Sequence, residues 1–122
     1  MAAVGMTSLA LVAIGGAAGS VLRYLTSVLA LAWLGPAFPW GTLAVNAIGS
    51  LVIGAMAGAD LEGQARLLLV TGFLGGFTTF SAFSLEATML WGRAPALSIA
   101  YVAASVLLGA ACCLAGFWLF RR

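Results

Sequence analysis

The chain has 122 residues, of which 64% are hydrophobic and 7% charged, with a formal net charge of +2. An ordinary soluble domain carries about 25% charged residues, so 5 basic and 3 acidic side chains exclude a domain that stays in water alone. The charge is also too small and too scattered to imply nucleic acid, and the absence of histidine removes the usual acid–base residue and a common metal ligand.

Lipid is the solvent this composition suits. A membrane helix needs roughly 20 apolar residues, so the length holds four spans and no separate soluble domain. The expectation is one all-α integral membrane domain over residues 1–122. Its N-terminus, Met1-Ala-Ala-Val-Gly5, lacks the basic region of a cleaved signal peptide. The first apolar run, about 2–34, therefore reads as a retained helix. Gly35-Pro36-Ala37-Phe38-Pro39 is a turn. The second run covers about 40–59 and ends in the polar loop Asp60–Gln64. The third covers about 65–91 and ends at Gly92-Arg93-Ala94-Pro95. The fourth covers about 96–120 and ends on Arg121-Arg122. Cys112 and Cys113 are adjacent on it and read as small apolar residues, not as a disulfide framework.

The third span departs from a uniform apolar helix. Its middle runs Gly72-Phe73-Leu74-Gly75-Gly76-Phe77-Thr78-Thr79-Phe80-Ser81-Ala82-Phe83-Ser84. Each glycine weakens a helix by about 1 kcal/mol relative to alanine. Irregular backbone survives in lipid only where protein buries it or it lines a cavity. The pattern predicts a helix broken near Gly75 to Thr79, at mid-membrane. Close helix packing by small residues is the plainer explanation of the glycines, and Gly15–Gly19, Gly54–Gly58 and Gly72–Gly76 share that spacing.

Charge counting bears on orientation. Four spans put Arg66, Arg121 and Arg122 on one side and Arg23 and Arg93 on the other. That is a feeble bias under the positive-inside rule, and it leaves insertion both ways up, hence an antiparallel homodimer, open.

Polar side chains fall on helix faces. Thr42, Asn46 and Ser50 are spaced i, i+4, i+8. Asn46 near mid-span is either an interhelical hydrogen-bonding group or part of a functional site. Phe80 and Phe83 share a face beside Ser81, Ser84 and Thr88, and Tyr101 and Ser105 are one turn apart on the last helix. Hydroxyls, an amide and ring edges of partial positive charge would let an anion pass without meeting a full charge. Arg23 reads as structural, capping a carbonyl, pairing with an acid or lending positive field to a vestibule. Glu86 is the one acid placed inside a helix and the one proton-relay candidate. No catalytic constellation or nucleotide fingerprint is present, so the chain does not read as an enzyme.

Three segments together resemble the Fluc/CrcB fluoride channel family. They are Gly15-Gly16-Ala17-Ala18-Gly19-Ser20-Val21-Leu22-Arg23-Tyr24, Gly41-Thr42-Leu43-Ala44-Val45-Asn46-Ala47-Ile48-Gly49-Ser50, and Gly72 through Glu86. They occur in the family's order, and the resemblance covers essentially the whole chain. It implies a passive, fluoride-selective channel in a prokaryotic cell membrane that exports cytoplasmic fluoride. The assembly implied is a dual-topology, antiparallel homodimer with two pathways. It further implies a structural sodium ion (Na+) at the dimer centre, held by the carbonyls of Gly75 and Thr78. Phe80 and Phe83 match the pore phenylalanines and Asn46 the pore asparagine. Thr42, Ser81, Ser84, Tyr101 and Ser105 match the polar track. One turn beyond Ser105 the chain departs from the pattern, with Gly109 where a further hydroxyl is expected. Two other readings remain open: a small proton-coupled exporter using Glu86, and a non-transporting assembly subunit.

Overall fold

The computed structural model describes residues 4–122 and is all-helical over them. Four stretches are long and apolar enough to cross a membrane: Met6–Leu34, Trp40–Gly58, Gly63–Arg93 and Pro95–Phe120. The first is helix α1 and the second α2. The third stretch is composite. It comprises α3 (Gly63–Arg66), a π-helical run Leu67–Leu74, the short α4 (Gly75–Phe77) and α5 (Ser81–Arg93). The last is α6 (Pro95–Phe120), which begins with proline at its first turn, where the missing N–H costs nothing.

The helical stretches differ from the expected spans by small shifts at their ends. The first begins at Met6, and the part of the expected start before residue 4 lies outside the described residues. The third is longer than expected at both ends, 63–93 against 65–91. Gly35 and Gly63 turn the chain between spans with φ of 79° and 68°, a region open to glycine at little cost.

Glycine's role in the third stretch differs from the expectation. Gly75 and Gly76 are helical, with Gly75 at φ −60° and ψ −37°. The residues outside helix are 78–80, with Thr78 extended at φ −90°, ψ 159°. Gly76 serves contact instead. A Cβ on Gly76 would collide with the carbonyl of Gly16, and one on Gly19 with the carbonyl of Phe73. Backbone therefore lies on backbone where α1 crosses the first half of the third stretch, as small residues permit in membranes.

The second close pairing is α2 with α6. A Cβ on Gly54 would strike the Cys113 carbonyl, and one on Gly116 the Leu51 carbonyl. Between the two pairings lies a small core of Val45, Leu74 and Phe77, flanked by Val52, Met56 and Phe73. Tyr101 and Leu90 are also buried, where α5 leans on α6. The outer surface is apolar, with Trp33, Leu107 and Leu119 all strongly exposed. Contiguous apolar exposure on this scale marks a membrane-facing surface.

Gly54→Ala should lower thermal stability in detergent by about 1–3 kcal/mol, the usual cost of overpacking. Gly109→Ala should be near neutral, because a Cβ there meets only the Ser50 hydroxyl at ordinary contact distance, 3.6 Å. Equal melting temperatures for the two variants would contradict the close α2–α6 contact.

Candidate anion pathway

Where helical bonding lapses after Phe77, its polar groups need other partners. The Thr78 N–H and hydroxyl both donate to the Leu74 carbonyl, at 3.0 and 2.8 Å. Thr79 is held by Asn46. Its N–H donates to Asn46 Oδ1 at 2.8 Å, and its carbonyl accepts from Asn46 Nδ2 at 2.9 Å. One side-chain amide thus satisfies both backbone groups of a non-helical residue. The Thr79 hydroxyl in turn accepts the Ala82 N–H at 3.1 Å, as capping side chains do at helix starts.

Arg23 contacts a backbone carbonyl. Its Nε donates to the Gly76 carbonyl at 3.0 Å. A cation near the C-terminal end of a helical segment also complements the dipole there. Arg23 lines neither of the two cavities described next.

The first cavity, about 590 Å³, lies among α2, α6 and the third stretch, and Asn46, Gly75, Thr78, Phe80, Phe83 and Ser105 line it. The second, about 500 Å³, lies near the 35–40 turn and is lined by Phe38, Thr42, Glu86 and Arg93 among others. Between them stands Tyr101. Its ring contacts Phe83 of the first cavity, centroids 5.2 Å apart, and Phe38 of the second, edge-on at 5.3 Å. Phe80 extends the aromatic file, 5.7 Å from Phe83, and is 79% exposed. The Tyr101 hydroxyl is buried without a partner, as is that of Ser105. A buried hydroxyl left unpaired costs about 1–3 kcal/mol, so these two donors suit a visiting water or anion.

The remaining expected residues fall differently. The Thr42 hydroxyl donates to Glu86 Oε1 at 2.6 Å, which joins the stripe on α2 to the acid on α5. Ser84 donates to the Phe80 carbonyl of its own helix, and Thr88 likewise to the Ser84 carbonyl, both at 2.9 Å. Ser81 is exposed, and neither Ser81 nor Ser84 lines a cavity. Sequence reasoning did not assign Thr79 and Phe38 to the site. Thr79 lies in a non-helical stretch that no periodicity marks, and Phe38 lies in a turn.

Gly75 and Thr78 bear on the expected sodium ion. Thr79 N–H and Ala82 N–H, which would bond these carbonyls in a continuous helix, go to Asn46 and to Thr79 instead. Among the described residues neither carbonyl accepts a hydrogen bond. Both residues line the first cavity. Free carbonyl oxygens are the ligands a hard cation takes, so the donor chemistry fits.

Residues 10–117 match the family described as CrcB-like protein, Camphor Resistance (CrcB). The chain belongs to that family. A relative from Rhizobium etli is 55% identical over 117 residues, covering 91% of this chain and 94% of its own. One from Agrobacterium fabrum is 51% identical over 125 residues, covering 96% and 98%. One from Phenylobacterium zucineum is 51% identical over 124 residues, again covering 96% and 98%. All three relatives are named fluoride-specific ion channel FluC. With its four apolar helices, this CrcB-family chain is a multi-pass protein of a prokaryotic cell membrane.

Asn46→Asp should destabilise the fold as well as alter the cavity. It removes the donor to the Thr79 carbonyl and sets a carboxylate against that oxygen, an unsatisfied contact worth about 1–3 kcal/mol. A melting temperature equal to that of the wild type would show that Asn46 does not hold Thr79.

Proposed function

We propose that this protein is a passive, fluoride-selective channel that lets cytoplasmic fluoride leave the cell and so relieves its toxicity. The observation that carries the reading is the pair of cavities on either side of Tyr101, joined by an aromatic file, with buried partnerless hydroxyls at Ser105 on the first cavity and at Tyr101 between the two. The relatives' shared name supports the choice of anion. Neutral hydrogen fluoride crosses membranes and dissociates in a less acidic cytoplasm. The trapped anion is then driven out by a negative-inside potential, and a pore with no energy-coupling machinery suffices.

The pathway runs past Ser105 and Asn46, the edges of Phe80 and Phe83, the Tyr101 hydroxyl, and Thr42. Ser81 and Ser84 flank it at the start of α5, beside Phe80 and Phe83, with the Ser84 hydroxyl held by the Phe80 carbonyl. Asn46 donates one amide hydrogen to Thr79 and keeps the second for the cavity. Hydrogen-bond donors and ring edges replace water around the anion without a full positive charge that would trap it.

The functional unit is an antiparallel homodimer of chains inserted both ways up, in keeping with the weak arginine asymmetry. The non-helical residues 78–80 lie near mid-membrane in this arrangement, and the two copies meet there. The carbonyls of Gly75 and Thr78 from both copies would hold a structural sodium ion. Bound, the ion would supply positive charge that balances carbonyl oxygens with no other partner.

Purified protein in liposomes loaded with potassium fluoride should release fluoride rapidly when valinomycin is added, while chloride-loaded liposomes should not empty. No fluoride release from folded protein, with sodium present, would sink the channel reading. Phe80→Ile should slow fluoride release by tenfold or more, on the order of the roughly 1.4 kcal/mol that an edge contact supplies, and leave the dimer intact. Wild-type flux in that variant would remove the ring edges from the pathway. Glu86→Gln should still release fluoride, whereas a proton-coupled exporter would lose transport with its only membrane acid.

A further inference from the structure

Hydroxyls on membrane helices usually satisfy themselves by donating to the carbonyl four residues back. Thr26, Thr78, Ser84 and Thr88 all do so here. Ser50 does not, although the Asn46 carbonyl lies four residues before it; like Thr71 on the same cavity, its hydroxyl makes no hydrogen bond among the described residues. Ser50 lines the first cavity, one turn along α2 from Asn46. Across the cavity, α6 presents Ser105, whose buried hydroxyl is also unpaired, and one turn further Gly109.

Gly109 differs from the other glycines of the α2–α6 contact. Gly54 and Gly116 are forced, since a side chain at either would run into backbone. At Gly109 a Cβ would meet only the Ser50 Oγ, 3.6 Å away, at ordinary contact distance. Packing therefore does not require glycine at this position. Its effect is to leave open space directly in front of the Ser50 hydroxyl, at the level where α6 itself offers no donor.

We propose that Ser50 is an anion-binding residue: its hydroxyl donates to the fluoride ion in the space that Gly109 leaves open, and so continues from α2 the line of donors that Ser105 carries on α6. This rests on the channel reading. Its chemistry is that of the other unpaired hydroxyls of the cavity: a small, strongly hydrated anion surrenders water only where donors replace it. A hydroxyl already committed to a carbonyl, like that of Ser84, offers less.

The test is fluoride release from liposomes with the wild type, Ser50→Ala, and Ser50→Ala combined with Gly109→Ser. Ser50→Ala should slow release about tenfold, the lower end of what losing a hydrogen bond to a charged group costs. Adding Gly109→Ser should restore most of that rate, because it returns a hydroxyl to the same space from the opposite helix. Ser50→Cys, similar in shape but a weak donor, should reproduce the loss and replaces Ser50→Ala if that variant does not fold. Wild-type rates in both Ser50 variants would overturn the assignment and leave the channel reading standing. Slow release that Gly109→Ser does not restore would also overturn it, since the space and not the hydroxyl would then matter. Failure of the wild type itself to release fluoride would sink the channel reading, and with it the role of Ser50.

Discussion

The structure depends on one side chain satisfying one stretch of backbone. In lipid no water is available to complete a peptide group, so a helix can stop inside a membrane protein only if something else takes its bonds. The Asn46 amide does this for Thr79 with two hydrogen bonds, one accepted and one donated. The third stretch can then leave helical geometry at residues 78–80 and resume as α5. Arg23 performs the matching service for the Gly76 carbonyl from the other side. Without these two polar contacts the chain would have to run on as helix or bury unpaired groups.

The interruption has a consequence for the site. It frees the carbonyls of Gly75 and Thr78, exposes the Phe80 ring and sets the start of α5 beside α6. The donors and ring edges of the first cavity therefore come from three separated parts of the sequence. They stay in place because the flanking helices are locked by glycine contacts, α1 against the first half of the third stretch and α2 against α6. Close backbone packing leaves these helices little freedom to slide, which is what a path lined by few and weak donors requires.

Much of the fold was legible from residue order. Four apolar runs, their turns and the unusual composition of the third span required no structure, because hydrophobic length and Gly/Pro punctuation are local properties. Asn46, Phe80 and Phe83 were also legible, since amides and paired rings in an apolar helix stand out. The role of the paired glycines was not. Gly75-Gly76 looks like a helix breaker in isolation, but both residues are helical, and the small size of Gly76 serves contact with Gly16 on α1. Propensity describes a residue alone, and here packing overrides it.

The sequence by itself determined that this chain lives in a membrane, how many times it can cross, and which polar side chains must find partners there. The reason is that lipid penalises every unpaired polar group, so composition alone lists them. Only the tertiary structure decided which groups are already spent and which are free. Thr42 is committed to Glu86 and Ser84 to its own helix, while the hydroxyls of Tyr101 and Ser105 are buried without a protein partner and Ser50 lines the first cavity. Hydroxyls of one residue type at one helical spacing read identically in a sequence. What separates them is whether a carbonyl lies within about 3 Å, and that is settled by how the helices cross.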